Sequence, residues 1–311
     1  MRLFANLHTH STHSDGEYTP SELVQTAKKE GYHAIALTDH DTITGCKELE
    51  AECRAAGLEY IFGAELSTSN TLGTSFHIVG FDFDPNYPPM QKHLEEMSLR
   101  ETHQTQTLFQ NGIDRGTISG VAWEEVLQYN QGISWLCNNH VFRTMLAKGL
   151  VKMTDYPEFF AVNYGSRRDE IPPLYPFKPV EVIINLIKEA GGIAVLAHPQ
   201  MKQLDCIDAL IEMGLDGIEV WHYHVNDAER KRALQYAIKK GLYVSGGSDH
   251  AGLCGGSYAR YESIKDCPFY VEPCSVGTTE QFFRELKTRQ KSSERRPLNA
   301  CQCYMGRASI C

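Results

Sequence analysis

Short apolar, β-branched runs alternate along the chain with stretches whose apolar residues recur at helical spacing. Seven runs read as strands: Arg2–His8, Ala34–Thr38, Tyr60–Leu66, Phe76–Phe83, Ile193–Ala197, Gly217–Trp221 and Leu242–Gly246. Between them lie five amphipathic helices. Thr19–Lys29 starts with Thr19 as N-cap, Pro20 at the first helical position and Glu22 placed to complete a capping box. Ile43–Ala56 stops at Gly57, and Pro179–Ala190, Leu204–Met213 and Asp227–Lys240 follow later. Most strands are separated by a helix, the pattern of a parallel α/β sheet or barrel.

Two regions break this rhythm. From about Met90 to Pro176 the pattern turns helical, around Gln91–Asn111, Ala122–Tyr129 and Val141–Lys148, and ends in the loop-like NYGSRRDEIPPLYPF. The final stretch carries Lys287, Arg289, Lys291, Arg295, Arg296 and Arg307 with few apolar residues. The expected organisation is a barrel built from residues 1–89 and 177–286, a helical insertion over 90–176 covering its active site, and a flexible basic tail over 287–311.

Composition narrows the function classes. A chain of 311 residues, 42% hydrophobic and 22% charged, is globular in character and long enough to bury a sizeable core. A net charge of −9 argues against a broad nucleic-acid-wrapping surface, yet leaves room for a local basic pocket. Neither a secretory signal nor an apolar run of 18 residues is present, so a cytoplasmic protein without a membrane span is expected. The ten cysteines form no pair of CxxC motifs and read as reduced thiols, with Cys301, Cys303 and Cys311 clustered in the tail. No protein partner is indicated.

The histidines change the picture most. Imidazoles and carboxylates recur at the strand ends: His8, His10 and Asp15 in HTHSTHSDG, Asp39 and His40 in LTDHDT, Glu65 in GAELS, His77 in FHIVGF, His198 in AVLAHP, and Asp249 with His250 in GGSDH. Barrels and open α/β sheets place their sites at such ends. His8 and His10 are two apart, so a strand presents them on one face. A lone histidine is more often a satisfied surface or core residue than a ligand, and HxH by itself is a weak signal. Six strand ends delivering imidazole or carboxylate together point to a metal centre. Six His with Asp15, Glu65 and Asp249 exceed the four ligands of one tetrahedral ion and suit two or three ions. A mixed nitrogen and oxygen set without thiolate suits Mn, Fe or Zn better than Ca or Cu(I).

Together these motifs resemble the PHP (polymerase and histidinol phosphatase) family of metal-dependent phosphoesterases over residues 1–250 or slightly beyond. The resemblance implies a distorted (β/α)7 barrel with a trinuclear site at its C-terminal face. It implies a first ion on His8, His10, Glu65 and Asp249, with Glu65 bridging to a second on His77 and His198, and a third on Asp15, His40 and His250. The divalent ions would be manganese first, with iron, zinc or magnesium as alternatives. The long insertion is similar to that of a subgroup containing a nucleoside 3′,5′-bisphosphate phosphatase and a 5′-to-3′ exonuclease on short RNA. Accordingly, the implied partner is a phosphorylated nucleotide or short oligonucleotide, hydrolysed by a metal-activated hydroxide. A histidinol-phosphate-type phosphatase and a non-catalytic metal-binding module are the competing readings.

Residue by residue, NNHVFRTMLAKG (138–149) resembles the segment that reaches the substrate phosphate in that subgroup, so His140 and Arg143 are expected to bind substrate. His198 and His222 are candidates for assisting the leaving oxygen, and His222, with His224, for substrate contact. Phe142, Tyr164 or Tyr175 could stack on a base. Arg167 and Arg168 read as solvated loop charges. Two departures stand out. Asn6 occupies a position where the family usually has Asp, so a supporting carboxylate is missing there. Asp249 and His250 are adjacent, so both can face the site only if the last strand has already ended.

Overall fold

The computed structural model describes residues 2–249 and 274–289. Its strands are β1 (Ala5–Asn6), β2 (Ala34–Ile35), β3 (Glu59–Tyr60), β4 (Gly63–Ser67), β5 (His77–Phe81), β6 (Ile193–Leu196), β7 (Gly217–Glu219) and β8 (Tyr243–Ser245). β3 and β4 correspond to the single run expected at 60–66, broken at Ile61–Phe62. Two sheets result, ordered β1-β2-β3 and β4-β5-β6-β7-β8. Backbone hydrogen bonds join them at both margins. Asp41 N donates to Glu65 O at 2.8 Å on one side, and Leu7 N donates to Gly246 O at 3.1 Å on the other. The circuit is a distorted (β/α)7 barrel.

Residues from six of these strand regions meet in one interior cluster: Ala5 and Leu7, Ala34 and Ala36, Ile61, Val79 and Phe81, Val195 and Ala197, and Tyr243. Alternate positions such as Ala64, Leu66, Ile78, Ala194 and Leu196 face the other way, into the cluster shared with the surrounding helices. That alternation leaves Glu65, the residue between Ala64 and Leu66, pointing inward and fully buried.

The sheet is not wholly parallel. β5 runs antiparallel to both β4 and β6. The physical reason lies in the connection. Only residues 68–76 separate β4 from β5, too few for the crossover helix that a parallel pair requires. In consequence His77 stands at the start of its strand, opposite Ser67 at the end of β4. It therefore reaches the same end of the barrel as the C-terminal residues of the parallel strands.

The barrel helices are α1 (Pro20–Glu30), α2 (Cys46–Ala56), α7 (Val180–Glu189), α8 (Met201–Asp205), α9 (Ile207–Glu212), α10 (Asp227–Lys240) and α11 (Glu280–Thr288). α1 has the anticipated capping box, and Gly31 ends it at φ 89°, a left-handed conformation that glycine adopts without strain. The single helix expected at 204–213 is two, interrupted at Cys206. α11 extends to Thr288, with Arg289 paired to Asp82 at 2.8 Å, so the boundary drawn at 287 falls inside a helix. The remainder of the tail, with Cys301, Cys303 and Cys311, lies outside the described residues.

Between the barrel's two halves run α3 (Pro88–Asp114), α4 (Trp123–Tyr129), α5 (Asn138–Ala147) and α6 (Tyr156–Asn163). They enclose a separate core around Leu108, Phe109, Val126, Phe142, Phe159 and Tyr164. The stretch read as loop after Asn163 contains a 3-10 helix, Gly165–Glu170. Among the described residues, no helix is long and apolar enough to cross a membrane, and Cys46, Cys53, Cys137, Cys206 and Cys274 are all free thiols.

Candidate metal centre

Loops leaving the strands carry the polar residues into one cluster. His8 and His10 follow β1, and His40 follows β2. Glu65 and His77 come from the β4–β5 hairpin, His198 from the end of β6 and Asp249 from beyond β8. Gly247 permits the last of these approaches, because a Cβ there would lie 2.4 Å from His8 Cβ. The turns are tight. Asp41 (φ 50°), His198 (φ 29°) and Asp249 (φ 53°) all occupy the left-handed region that side-chain-bearing residues avoid.

Glu65 is the hub. Its Oε1 accepts hydrogen bonds from His77 Nδ1 at 3.0 Å and His198 Nε2 at 2.8 Å. Its Oε2 lies 3.2 Å from His8 Nε2, 3.3 Å from His10 Nε2 and 3.2 Å from His40 Nδ1, yet makes no hydrogen bond. Three nitrogens crowding an oxygen without bonding to it are arranged like ligands around a shared point. An ionised carboxylate buried without compensation would cost several kcal/mol.

His8 Nε2 and His10 Nε2 are 3.1 Å apart, and Asp249 Oδ1 lies 3.6 Å from the first and 3.0 Å from the second. Four donors about 2.0–2.1 Å from a tetrahedral ion would be separated by roughly 3.3–3.4 Å. The cluster of His8, His10, Glu65 and Asp249 fits that spacing and donor chemistry. Three further groups also converge among the described residues: His10 with Asp15 and His40, His40 with Glu65 and His77, and His8 with Glu219 and His222. Within the first of these, Asp15 Oδ1 is 3.4 Å from His10 Nδ1 and its Oδ2 is 3.9 Å from His40 Nε2.

The electrostatics favour a cation. Burial raises the pKa of Glu65, but His8, His40 and His77 outweigh it and hold the carboxyl well below the usual range. Burial likewise opposes protonation of His8, and the charges of Glu219, Glu65 and Asp249 reverse that, raising its pKa well above the usual value.

One supporting residue was absent from the sequence reading. Fully buried Glu219, at the end of β7, contacts His8 Nδ1 through Oε1 at 3.1 Å and accepts from His198 N through Oε2 at 2.7 Å. It is a buried carboxylate held directly against two residues of the cluster. Asn6 ties β1 to the last loop, donating to Ser248 Oγ at 2.9 Å and accepting from Ser248 N at 3.0 Å. The signal was present in GIEVW, whose one acidic residue interrupts an apolar strand. Asp39 plays a related part, accepting from Ser11 N, Ser11 Oγ and Ser14 Oγ at 2.6, 2.7 and 2.5 Å to fasten the loop that bears Asp15.

The residues expected to meet substrate have these surroundings. His140 is fully buried. Its Nδ1 accepts from Cys137 N at 2.9 Å and its Nε2 donates to Thr12 O at 3.0 Å, leaving no nitrogen for a phosphate. Arg143 donates to Gly16 O and does not line the cleft. His222 is 1% exposed. Its Nδ1 accepts from His224 N at 3.1 Å, while its Nε2, without a hydrogen bond, lies 3.7 Å from Glu219 Oε2 and 3.9 Å from Asp249 Oδ2, so His222 borders the cluster. Phe142 and Tyr164 are wholly inside the insertion core, out of reach of a base. His13 bonds Thr44 Oγ1 at 2.9 Å, away from the cluster. β8 has ended well before Asp249, as the adjacent Asp249–His250 pair required, but His250 itself lies outside the described residues.

A cleft of about 240 Å³ opens beside the cluster. Asp15, His40 and His77 form one side, and Arg100, Trp135, Arg168 and Phe177 line the other. Trp135 stacks on His40 with ring centroids 6.1 Å apart. The Arg100 guanidinium lies 3.9 Å from the Phe177 ring centroid, with its Nε unpartnered. Arg168, read from sequence as solvated, is paired with Glu101 at 2.6 Å.

Comparison with known proteins places this arrangement. The family model of the PHP domain matches residues 6–158. A 5′-3′ exoribonuclease of Haemophilus influenzae is 31% identical over 260 residues, covering 80% of this chain and 90% of that protein. A phosphoribosyl 1,2-cyclic phosphate 1,2-diphosphodiesterase of Eggerthella lenta is 29% identical over 260 residues, covering 81% and 96%. A 3′,5′-nucleoside bisphosphate phosphatase of Chromobacterium violaceum is 31% identical over 295 residues, covering 91% and 96%. A crystal structure from Bifidobacterium adolescentis, assigned to the metal-dependent phosphoesterases, superposes with a TM-score of 0.71 at 25% identity, covering 94% of this chain and 99% of that one. With relatives above 30% identity matched over nearly their whole length, and a cluster of imidazoles sharing one buried carboxylate, the chain belongs to the PHP family and is a metal-dependent phosphoesterase.

Proposed function

We propose that the enzyme hydrolyses a nucleotide phosphate ester: the 3′-phosphate of a nucleoside 3′,5′-bisphosphate, or short 5′-phosphorylated oligoribonucleotides. Two or three divalent ions, manganese first, would be held by His8, His10, Asp15, His40, Glu65, His77, His198 and Asp249. The observation that carries this reading is the division of labour at Glu65, whose two oxygens face separate groups of imidazoles. Bound ions would lower the pKa of water and neutralise charge on the phosphoryl oxygens.

The chain's own residues do the rest. Glu219 orients His8 and the backbone of His198. Residues 90–176 act as the insertion that walls the cleft. Trp135 offers a stacking face, and Arg100 and Arg168 offer positive charge to a second phosphate. His224 is the imidazole at the rim, half exposed and with Nε2 3.3 Å from Asp249 Oδ2. It is better placed than His222 to give a proton to a leaving sugar oxygen.

The test is to purify the chain, load it with Mn²⁺, count metals, and assay nucleoside bisphosphates, 5′-phosphorylated oligoribonucleotides, a cyclic phosphate ester and histidinol phosphate. Highest kcat/KM on either of the first two supports the reading. Equal, metal-independent and marginal rates on all of them would reject it.

A further inference from the structure

The residues around the start of α5 grip the loop that carries Asp15 by its main chain. Four carbonyl oxygens of that loop are engaged. Thr12 O accepts from His140 Nε2 at 3.0 Å, and Ser14 O from Cys137 Sγ at 3.8 Å. Asp15 O accepts from Asn139 Nδ2 at 2.5 Å, and Gly16 O from Arg143. The donors are themselves fixed. Cys137 N, bonded to His140 Nδ1, leaves the proton on Nε2. Asn138 Nδ2 and Tyr156 OH both donate to Asn139 Oδ1, which turns its amide nitrogen toward Asp15. The sequence spacing serves this geometry, because residues 139, 140 and 143 lie three and four apart on one helix face.

From this geometry we infer that Cys137–Arg143 is a positioning device for Asp15, and that Arg143 acts on the backbone of the metal loop instead of on the substrate. Asp39 holds the loop from the barrel side and α5 holds it from the insertion, so the Asp15 carboxylate stays beside His10 and His40. The insertion is then a structural condition for that end of the metal centre. The inference rests on the metal reading proposed above.

The experiment uses the full chain with Asn139→Ala, Arg143→Ala and Arg143→Lys. Mn²⁺ binding is titrated calorimetrically, hydrogen exchange is followed at residues 12–16, and kcat and KM are measured on a nucleoside bisphosphate and on 4-nitrophenyl phosphate. Both alanine variants should weaken Mn²⁺ binding about tenfold, within the range typical of residues that orient ligands. They should speed exchange in the loop and lower kcat on both substrates by a similar factor, with KM little changed. Arg143→Lys should recover part of the loss, because an ammonium can also donate to Gly16 O. Wild-type Mn²⁺ affinity and loop exchange in both alanine variants would overturn the inference. So would a KM increase confined to the bisphosphate, which would return Arg143 to the substrate. A wild-type chain that binds no Mn²⁺ would instead overturn the metal reading, and the inference with it.

Discussion

His8 and Glu219 meet at 3.1 Å, ring Nδ1 to carboxylate Oε1, with both side chains removed from solvent. The contact joins the segment after β1 to the end of β7. With a metal bound, the contact would keep a ring proton on Nδ1 and leave Nε2, which faces His10, Glu65 and Asp249, as the ligand atom.

Replacing Glu219 with Gln keeps the shape and removes the charge. Mn²⁺ affinity should fall by about 10–100-fold, with activity recovered in part at high Mn²⁺. The check is a metal titration of activity. Identical curves for variant and wild type would remove Glu219 from the support of the centre.

Glu65→Gln should be far more damaging, since both oxygens lose their charge at once. Loss of at least one bound ion per chain and a fall in kcat of about a thousandfold or more is expected, on the scale of removing a strong electrostatic contributor to a transition state. Metal counting together with kcat decides it. Full occupancy with near-normal turnover would be incompatible with a bridging role.

His140 makes a prediction about acid. Burial, aided by Arg143, lowers its pKa to about 3, against about 6.5 in an unfolded chain. Below pH 6.5 the unfolded chain takes up a proton that the folded site refuses. Stability is therefore lost as pH falls from 6.5 toward 3, by at most about 1.4 kcal/mol per pH unit from this residue. His140→Gln, which keeps one donor and one acceptor, should lose less stability than wild type between pH 7 and pH 5 in chelated samples. Parallel losses in denaturant unfolding would count against the assignment.

Trp135 faces the cleft, and base stacking is worth about 1–3 kcal/mol. Trp135→Ala should raise KM for a nucleotide by roughly five- to a hundredfold and leave KM for an aryl phosphate near its original value. An equal rise for both would mean that the ring serves only to hold His40.

Much of this was legible in the chain because it is local. The Thr19 capping box, the Gly57 stop and the strand ends bearing His8, His10, His40, Glu65 and Asp249 are set by spacing within a few residues. Strand alternation alone sends Glu65 inward. Other features were not local. His140 and Arg143 look like phosphate ligands until the fold brings the carbonyls of Thr12 and Gly16 against them. Phe142 and Tyr164 look available until the insertion closes its own core around them.

By itself, then, the sequence determined the alternating α/β architecture, the family motifs and which residue types crowd the strand ends. Only the tertiary structure decided that β5 runs backward, that Glu219 meets His8, and that α5 faces the loop bearing Asp15. The reason is physical: periodicity encodes which face of an element is buried, whereas the partner it is buried against depends on how the sheet closes. That closure sets residues 8 and 219, or 16 and 143, side by side across more than a hundred positions of chain.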